Sequence, residues 1–214
     1  MNKQNHIKCQ AILLANGKFP KHPIPLKILD EKHPIICCDG SAKKLLNYGK
    51  NPAFIIGDLD SITNKMKLEF SNCLIPIKNQ RENDLRKSIN WIEKNGYKKI
   101  TILGATGYRD DHTIGNIFSL LEFNFKIKID LITDYGIFST CNNYSEFKSF
   151  IGQQVSIFTT DKKLKITSSN LKYGLKNKTL DSIYAGTLNE SLSEKFSIHC
   201  VGGRTLIYRC HKLS

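Results

Sequence analysis

Over its first 133 residues the chain alternates short apolar runs with stretches of helical periodicity, and this alternation restricts the fold more than any other feature. Runs at 9–15, 35–38, 53–56, 73–77, 100–103 and 127–133 read as strands, and helical patterns fit 41–48, 63–70, 83–95 and 110–123. Strands separated by helices pack as a mostly parallel, doubly wound sheet with helices on its faces. The clearest helical period lies in 83–95, where Leu85, Ile89 and Ile92 recur at i, i+4 and i+7. Asn83 suits the N-cap of that helix, and Asn95-Gly96 its stop.

After about residue 140 the pattern changes. Gln154 to Phe158, Leu164 to Thr167, Lys195 to His199 and Arg204 to Tyr208 alternate apolar and polar residues with no helical stretch between them. That predicts an antiparallel β-sandwich or small barrel. A boundary between Thr133 and Glu146 is expected, giving an α/β domain over 1–138 and a β domain over 139–214.

Composition removes several function classes. No run approaches the roughly 18 apolar residues of a membrane span. The segment Met1 to Cys9 is polar and lacks a signal-peptide apolar core, so a cytoplasmic protein without a membrane partner is expected. The seven cysteines are odd in number and include no C-x-x-C pair, which argues against a disulfide framework or a zinc ribbon. The net charge of +13 would suit nucleic acid. Its lysines are spread rather than blocked, however, and no aromatic-interleaved basic stripe appears. They read as solvated faces, with no nucleic-acid partner, although a positive field also attracts anionic nucleotides.

Ligands of open α/β sheets bind beyond the carboxyl ends of the strands. Four predicted strands end in Asn16-Gly17, Asp39-Gly40, Gly57-Asp58 and Gly104. In Gly57-Asp58-Leu59-Asp60-Ser61 the two carboxylates could share a Mg²⁺, which takes one or two carboxylates together with waters and substrate phosphates. They could equally cap a turn, with Ser61 as the N-cap of the next helix. Asp84 and Lys87 lie on one helical face, as a further metal ligand and a phosphate-binding charge, or as a surface pair. Gly104 to His112 leads from a strand into a helix and suits anion binding by backbone N–H groups, with Arg109 as a fork for phosphate. Asp111 could instead cap the helix, and His112 be structural. The loop is neither a Walker A motif nor a G-x-G-x-x-G fingerprint. Trp91 reads as core, and Cys37-Cys38 as part of a buried strand.

In this order the motifs resemble the thiamine pyrophosphokinase family. Its pattern of D-G, G-D-x-D-S, D-x-x-K, G-x-x-G-x-R-x-D-H with a later Asn, and G-x-S-N-E stands here as Asp39-Gly40, Gly57 to Ser61, Asp84 to Lys87, Gly104 to His112 with Asn116, and Gly186-Thr187-Leu188-Asn189-Glu190. Three features depart from it, the first being the helix start Asn83-Asp84-Leu85-Arg86-Lys87, where many relatives carry threonines flanking the Asp-Leu pair. Tyr108 replaces the second glycine of G-G-R, and Leu188 replaces the hydroxyl residue of S-N-E.

The resemblance implies transfer of pyrophosphate from ATP to the hydroxyl of thiamine by a Mg²⁺-dependent homodimer, with thiamine held between subunits. It implies that Asp39, Asp58, Asp60 and Asp84 surround the metal–triphosphate, with Asp58, Asp60 and Asp84 as the metal ligands. Asn16, Gly40, Ser61, Lys87, Arg109, Asp111, His112 and Asn116 would bind ATP, and Thr187, Leu188 and Asn189 thiamine. The alternatives are the same transfer to another hydroxymethyl heterocycle such as a pterin, or a non-catalytic nucleotide- or nucleic-acid-binding module.

Overall fold

The computed structural model describes residues 10–79, 81–123 and 125–212. The polar segment Met1 to Cys9 lies outside them, so the strand expected from residue 9 is described from Gln10 onward. The described residues divide into two compact units, one of 10–116 and 125–134, the other of 117–123 and 135–212.

The first unit contains β1 (Gln10–Leu14), α1 (Pro23–Leu29), β2 (Ile35–Cys38), α2 (Ser41–Asn47), β3 (Phe54–Gly57), α3 (Asn64–Glu69), β4 (Leu74–Pro76), α4 (Asp84–Lys94), β5 (Lys99–Leu103) and β6 (Lys128–Ile132). Helix α5 (Asp110–Glu122) begins in this unit and ends in the second. The strands form a parallel sheet in the order β6-β5-β1-β2-β3-β4. The chain therefore winds outward from β1 through β4, then returns to the other side of β1 at β5. Crevices at such a reversal receive ligands in doubly wound folds. The register levels the carboxyl ends: Leu14 pairs with both Cys37 and Leu103, and Cys38 with Ile56.

Local chemistry accounts for the helix ends. The Asn83 side chain accepts the Arg86 N–H at 2.9 Å, and Asn95 closes α4 with Gly96 beyond it at φ +85°. Thr63, not Ser61, caps α3 by accepting the Met66 N–H, which corrects the alternative reading of Ser61 as a cap. Helix α1 was not expected from periodicity. It is short and opens on Pro23-Ile24-Pro25, which looks like loop punctuation, yet proline is tolerated in a first turn whose N–H groups have no helical partner. Trp91 packs on Phe54 with ring centroids 4.8 Å apart. Burial pushes the Cys37 and Cys38 thiols up to about 12, so neither is a ready nucleophile.

The second unit is built from β7 (Gly136–Lys148), β8 (Gln154–Phe158), β9 (Thr167–Ser169), β10 (Asn189–Glu190) and β11 (Lys195–Cys210). All their pairings are antiparallel, in the order β10-β8-β11-β7, with β9 also on β11. Phe147, Val155, Ile157, Phe196, Ile198 and Ile207 anchor its core. The two runs expected at 195–199 and 204–208 are one strand whose register against β7 shifts between Cys200 and Arg204. The run at 164–167 supplies only an isolated bridge at Ile166 before β9 begins. Strand β7 escaped sequence reading because Asn142, Asn143 and Tyr144 are exposed and interrupt its apolar alternation. No described helix is long and apolar enough to cross a membrane.

Candidate active site

At the switch point the loops after β1 and β5 are joined backbone to backbone. The N–H groups of Ala15, Gly17 and Lys18 donate to the carbonyls of Leu103, Gly104 and Thr106 at 2.7–2.8 Å. A Cβ on Gly17 would stand 2.4 Å from Gly104 O, so no side chain fits there. These loops and the starts of α4 and α5 enclose a cleft of about 360 Å³. Asn16, Arg109, His112 and Asn116, four of the residues expected to bind ATP, line it together with Asp84, expected as a metal ligand. Asn116 ties the walls together: its Nδ2 donates to Ala105 O at 2.8 Å, and its Oδ1 accepts from Asn83 Nδ2 at 3.2 Å. Gly40 stands against Asn16, whose Nδ2 would lie 2.7 Å from a Cβ at that position.

Beside the cleft, carboxylates crowd around Gly57. A Cβ on Gly57 would stand 2.8 Å from Asp39 Cβ and 3.5 Å from Asp84 Cγ, so the missing side chain is what lets the two acids converge. Asp39 is 4% exposed. Its Oδ2 accepts the Ser61 N–H at 3.3 Å, its Oδ1 is buried without a donor, and the Asp58 carboxyl neighbours the group. Burial first, then Asp58 and the charge of Asp84, raise the Asp39 pKa above its usual 3.8 against the opposing Ser61 N–H. Leu59, between the two acids of the motif, is a buried residue at φ +65°, a conformation costing a non-glycine residue about 1–2 kcal/mol. Asp60 is exposed, and its N–H donates to Asp58 Oδ1 at 3.3 Å. Such strain at an acidic turn is a usual accompaniment of a binding loop.

Two basic residues differ from their expected settings. Lys87 is not part of a surface pair: it is 3% exposed and donates to Asp84 Oδ1 at 2.9 Å. The Arg109 fork is engaged with Asp111, Nε to Oδ1 at 3.1 Å and Nη2 to Oδ2 at 2.6 Å, on an exposed loop. That fork holds the Asp111 carboxyl down at about 2, helped by the His112 N–H.

Sequence reading missed Lys44. Its ammonium donates to Asn16 O, Asn16 Oδ1 and Gly17 O at 2.7–2.9 Å, using all three protons, and lies 4.8 Å from the Tyr108 ring centroid. Desolvation lowers its pKa from 10.5. A signal existed: Lys44 is three residues after Ser41, whose hydroxyl donates to Leu14 O at 2.7 Å, so both lie on the face of α2 turned to the end of β1.

Thr187, Leu188 and Asn189 belong to the second unit. Gly186 is obligatory there, because a Cβ would fall 2.2 Å from Ile157 O. Asn189 is 5% exposed, and its amide is committed to protein: Oδ1 accepts the N–H groups of Tyr173 and Glu190, and Nδ2 donates to Tyr173 O. Thr187 is tied to Tyr184 O by hydroxyl and N–H alike. Leu188 is left 80% exposed at φ +58°. Tyr173 and Tyr184, joined to this turn by those bonds, are themselves exposed. Sequence reading did not find these aromatics, since neither falls within a motif.

Hard oxygen donors crowded beside a buried, donorless Asp39 Oδ1 fit a divalent cation such as Mg²⁺. Among the described residues, no three His, Cys, Asp or Glu side chains form a ready metal cage. A partial protein ligand set of this kind suits an ion that also takes water and substrate oxygens.

Comparison with known proteins places these features in a family setting. A family model described as thiamin pyrophosphokinase, catalytic domain, matches residues 26–132, and one described as thiamin pyrophosphokinase, substrate-binding domain, matches residues 136–208. Thiamine pyrophosphokinase 1 of Oryza sativa subsp. japonica is 30% identical over 149 residues, a match spanning 58% of this chain and 55% of the rice protein. The thiamine pyrophosphokinase structure from Bacillus subtilis superposes with a TM-score of 0.79 at 23% identity, covering 95% of this chain and all of that one, and shows a shared fold. A probable thiamine pyrophosphokinase from Staphylococcus saprophyticus subsp. saprophyticus gives 0.71 at 26% identity, with 95% and 100% covered.

Proposed function

The chain belongs to the thiamin pyrophosphokinase family, and we propose that it transfers the pyrophosphoryl group of ATP to the hydroxyl of thiamine, releasing AMP. The observation that carries this reading is the convergence of Asp39, Asp58 and Asp84 beside the switch-point cleft, with a buried ammonium, Lys87, bonded to Asp84. An anionic triphosphate needs such a site for its metal, and Arg109 and His112 line the same cleft.

Residues 1–138 act as the ATP-binding catalytic domain and 139–214 as the thiamine-binding domain. Asp58, Asp60 and Asp84 would hold Mg²⁺, which when bound neutralises triphosphate charge. Asp39 sets the spacing of these acids. Asn16 and Gly40 shape the floor under the nucleotide, and the Ser61 N–H fixes Asp39. Lys87, Arg109 and His112 face the phosphates, with Asp111 orienting the Arg109 fork and Asn116 holding the walls. The thiamine hydroxyl oxygen bonds to the β-phosphorus as the α–β bridging bond breaks toward AMP, and its proton passes to a carboxylate of the cluster. Catalysis is then positioning plus charge neutralisation, with no covalent enzyme intermediate.

Thr187 and Leu188 contact thiamine, and Asn189 holds their turn in place. Tyr173 and Tyr184 supply exposed rings suited to the thiamine heterocycles. A homodimer with thiamine at the subunit interface fits the exposure of this turn. We place the enzyme in the cytoplasm, where ATP and reduced thiols coexist.

The test is AMP release from ATP and Mg²⁺ with thiamine, with a hydroxymethyl pterin, or with no acceptor. Thiamine-dependent AMP with matching thiamine diphosphate is expected. Release that depends on the pterin alone, or on neither acceptor, overturns the assignment.

A further inference from the structure

We propose that Tyr108 is the stacking platform for the nucleobase of the triphosphate donor, an inference that rests on the reading of the switch-point cleft as the ATP site. Tyr108 lines that cleft and is 67% exposed. Among the described residues lining it, no other Phe, Tyr or Trp occurs. Trp91 is packed on Phe54 and does not line the cleft.

An exposed aromatic ring is usually mobile, but this one is held. Lys44 Nζ lies 4.8 Å from its centroid, and that ammonium is itself pinned by three hydrogen bonds to Asn16 and Gly17. One ring face is therefore set against a fixed cation. The supporting loop is braced from both sides. Gly107, at φ +95°, lies so close to Lys18 that a Cβ would stand 2.8 Å from Lys18 Cβ. The Lys18 N–H donates to Thr106 O at 2.8 Å, and the Thr113 hydroxyl donates to Arg109 O at 3.1 Å.

A preorganised ring at the rim of a polar cleft, next to a phosphate-binding fork, is suited to a base whose phosphates lie deeper inside. Ordering its partner costs little, because the ring is already fixed. Stacking is tolerant of base identity, since every base has a π-face. Tyr108 should thus strengthen nucleotide binding without selecting adenine. Because tyrosine stands where the family pattern has glycine, the platform is a property of this chain.

The experiment is calorimetric titration of the full chain with ATP and, separately, with inorganic tripolyphosphate, in wild type, Tyr108→Ala and Tyr108→Phe. Base stacking predicts about a tenfold weaker ATP dissociation constant in Tyr108→Ala. Tripolyphosphate binding should be unchanged, and Tyr108→Phe should restore ATP affinity. If Tyr108→Ala binds ATP as tightly as wild type, or loses both ligands equally, the platform is refuted while the ATP site stands. If wild type binds tripolyphosphate but gains nothing from the nucleoside, the platform is again refuted. If wild type binds neither ligand, the nucleotide reading of the cleft falls, and the platform with it.

Discussion

Lys87 and Asp84 form an ion pair whose partners sit in different surroundings: the ammonium is 3% exposed, whereas the carboxylate keeps 35% of its side-chain surface open and lines the cleft. The lysine is thus committed to one partner, while the aspartate retains access to a ligand. Removing the two partners should therefore have unequal consequences.

Asp84→Asn leaves a buried ammonium without its counter-charge, and a loss of about 3–5 kcal/mol in stability is expected. Lys87→Met fills the same space without a charge and should alter stability by much less, while lowering kcat on the order of 100-fold by removing charge stabilisation. Urea unfolding and steady-state AMP release on both variants check this. Equal destabilisation by the two changes would contradict the asymmetry.

Asp58→Asn should preserve the fold and raise the barrier by about 2.7–4 kcal/mol, as removal of single electrostatic groups does elsewhere. The amide keeps the shape and can still accept the Asp60 N–H, but it carries no charge for a cation. Turnover close to wild type in a variant with an unchanged circular dichroism spectrum would remove Asp58 from the metal site.

Asp39 gives a pH signature. Its folded pKa is raised above the ordinary 3.8 by burial and by neighbouring acids. Between 3.8 and that raised value the folded chain binds more protons than the unfolded one, so this group's contribution to stability falls as pH rises through the interval, then levels off. Asp39→Asn removes that loss. In metal-free buffer the variant should gain stability relative to wild type as pH rises above 3.8, and the gap should level off above the raised folded pKa. A gap independent of pH, measured by chemical denaturation, would contradict the crowding of these acids.

In the second unit, Asn189→Ala removes the partners of the Tyr173 N–H and carbonyl in two part-buried hydrogen bonds, an expected cost of about 1 kcal/mol. Leu188→Asn should act in the opposite direction on stability, because asparagine tolerates the φ of +58° better than leucine does. Losing the exposed apolar side chain should raise the KM for thiamine. Thermal melts together with thiamine saturation curves separate the two effects.

Much of the first unit could be read from spacing alone. The helices at 84–94 and 110–122 and the strands at 35–38 and 99–103 follow from the 3.6-residue period, apolar runs and caps, all properties of neighbouring residues. The level ends of β1, β2 and β5 were an inference that the parallel register bears out. Helix α1 was hidden by its prolines, and β7 by its exposed polar stretch. For β7, pairing with a strand some 60 residues away supplies what local preference does not.

The sequence by itself determined which elements form, and that Gly57, Asp58 and Asp60 occupy a strand end with Asp84 at a helix start, because period, capping and turn chemistry act over a few residues. Only the tertiary structure decided how those groups are used. It buried Lys87, engaged Arg109 with Asp111, fixed Lys44 beneath Tyr108, and closed the Asn189 amide on Tyr173. Burial and the choice of hydrogen-bond partner depend on what packs against a side chain from elsewhere in the chain. The same lysine spacing can therefore give a solvated surface charge or a buried ammonium.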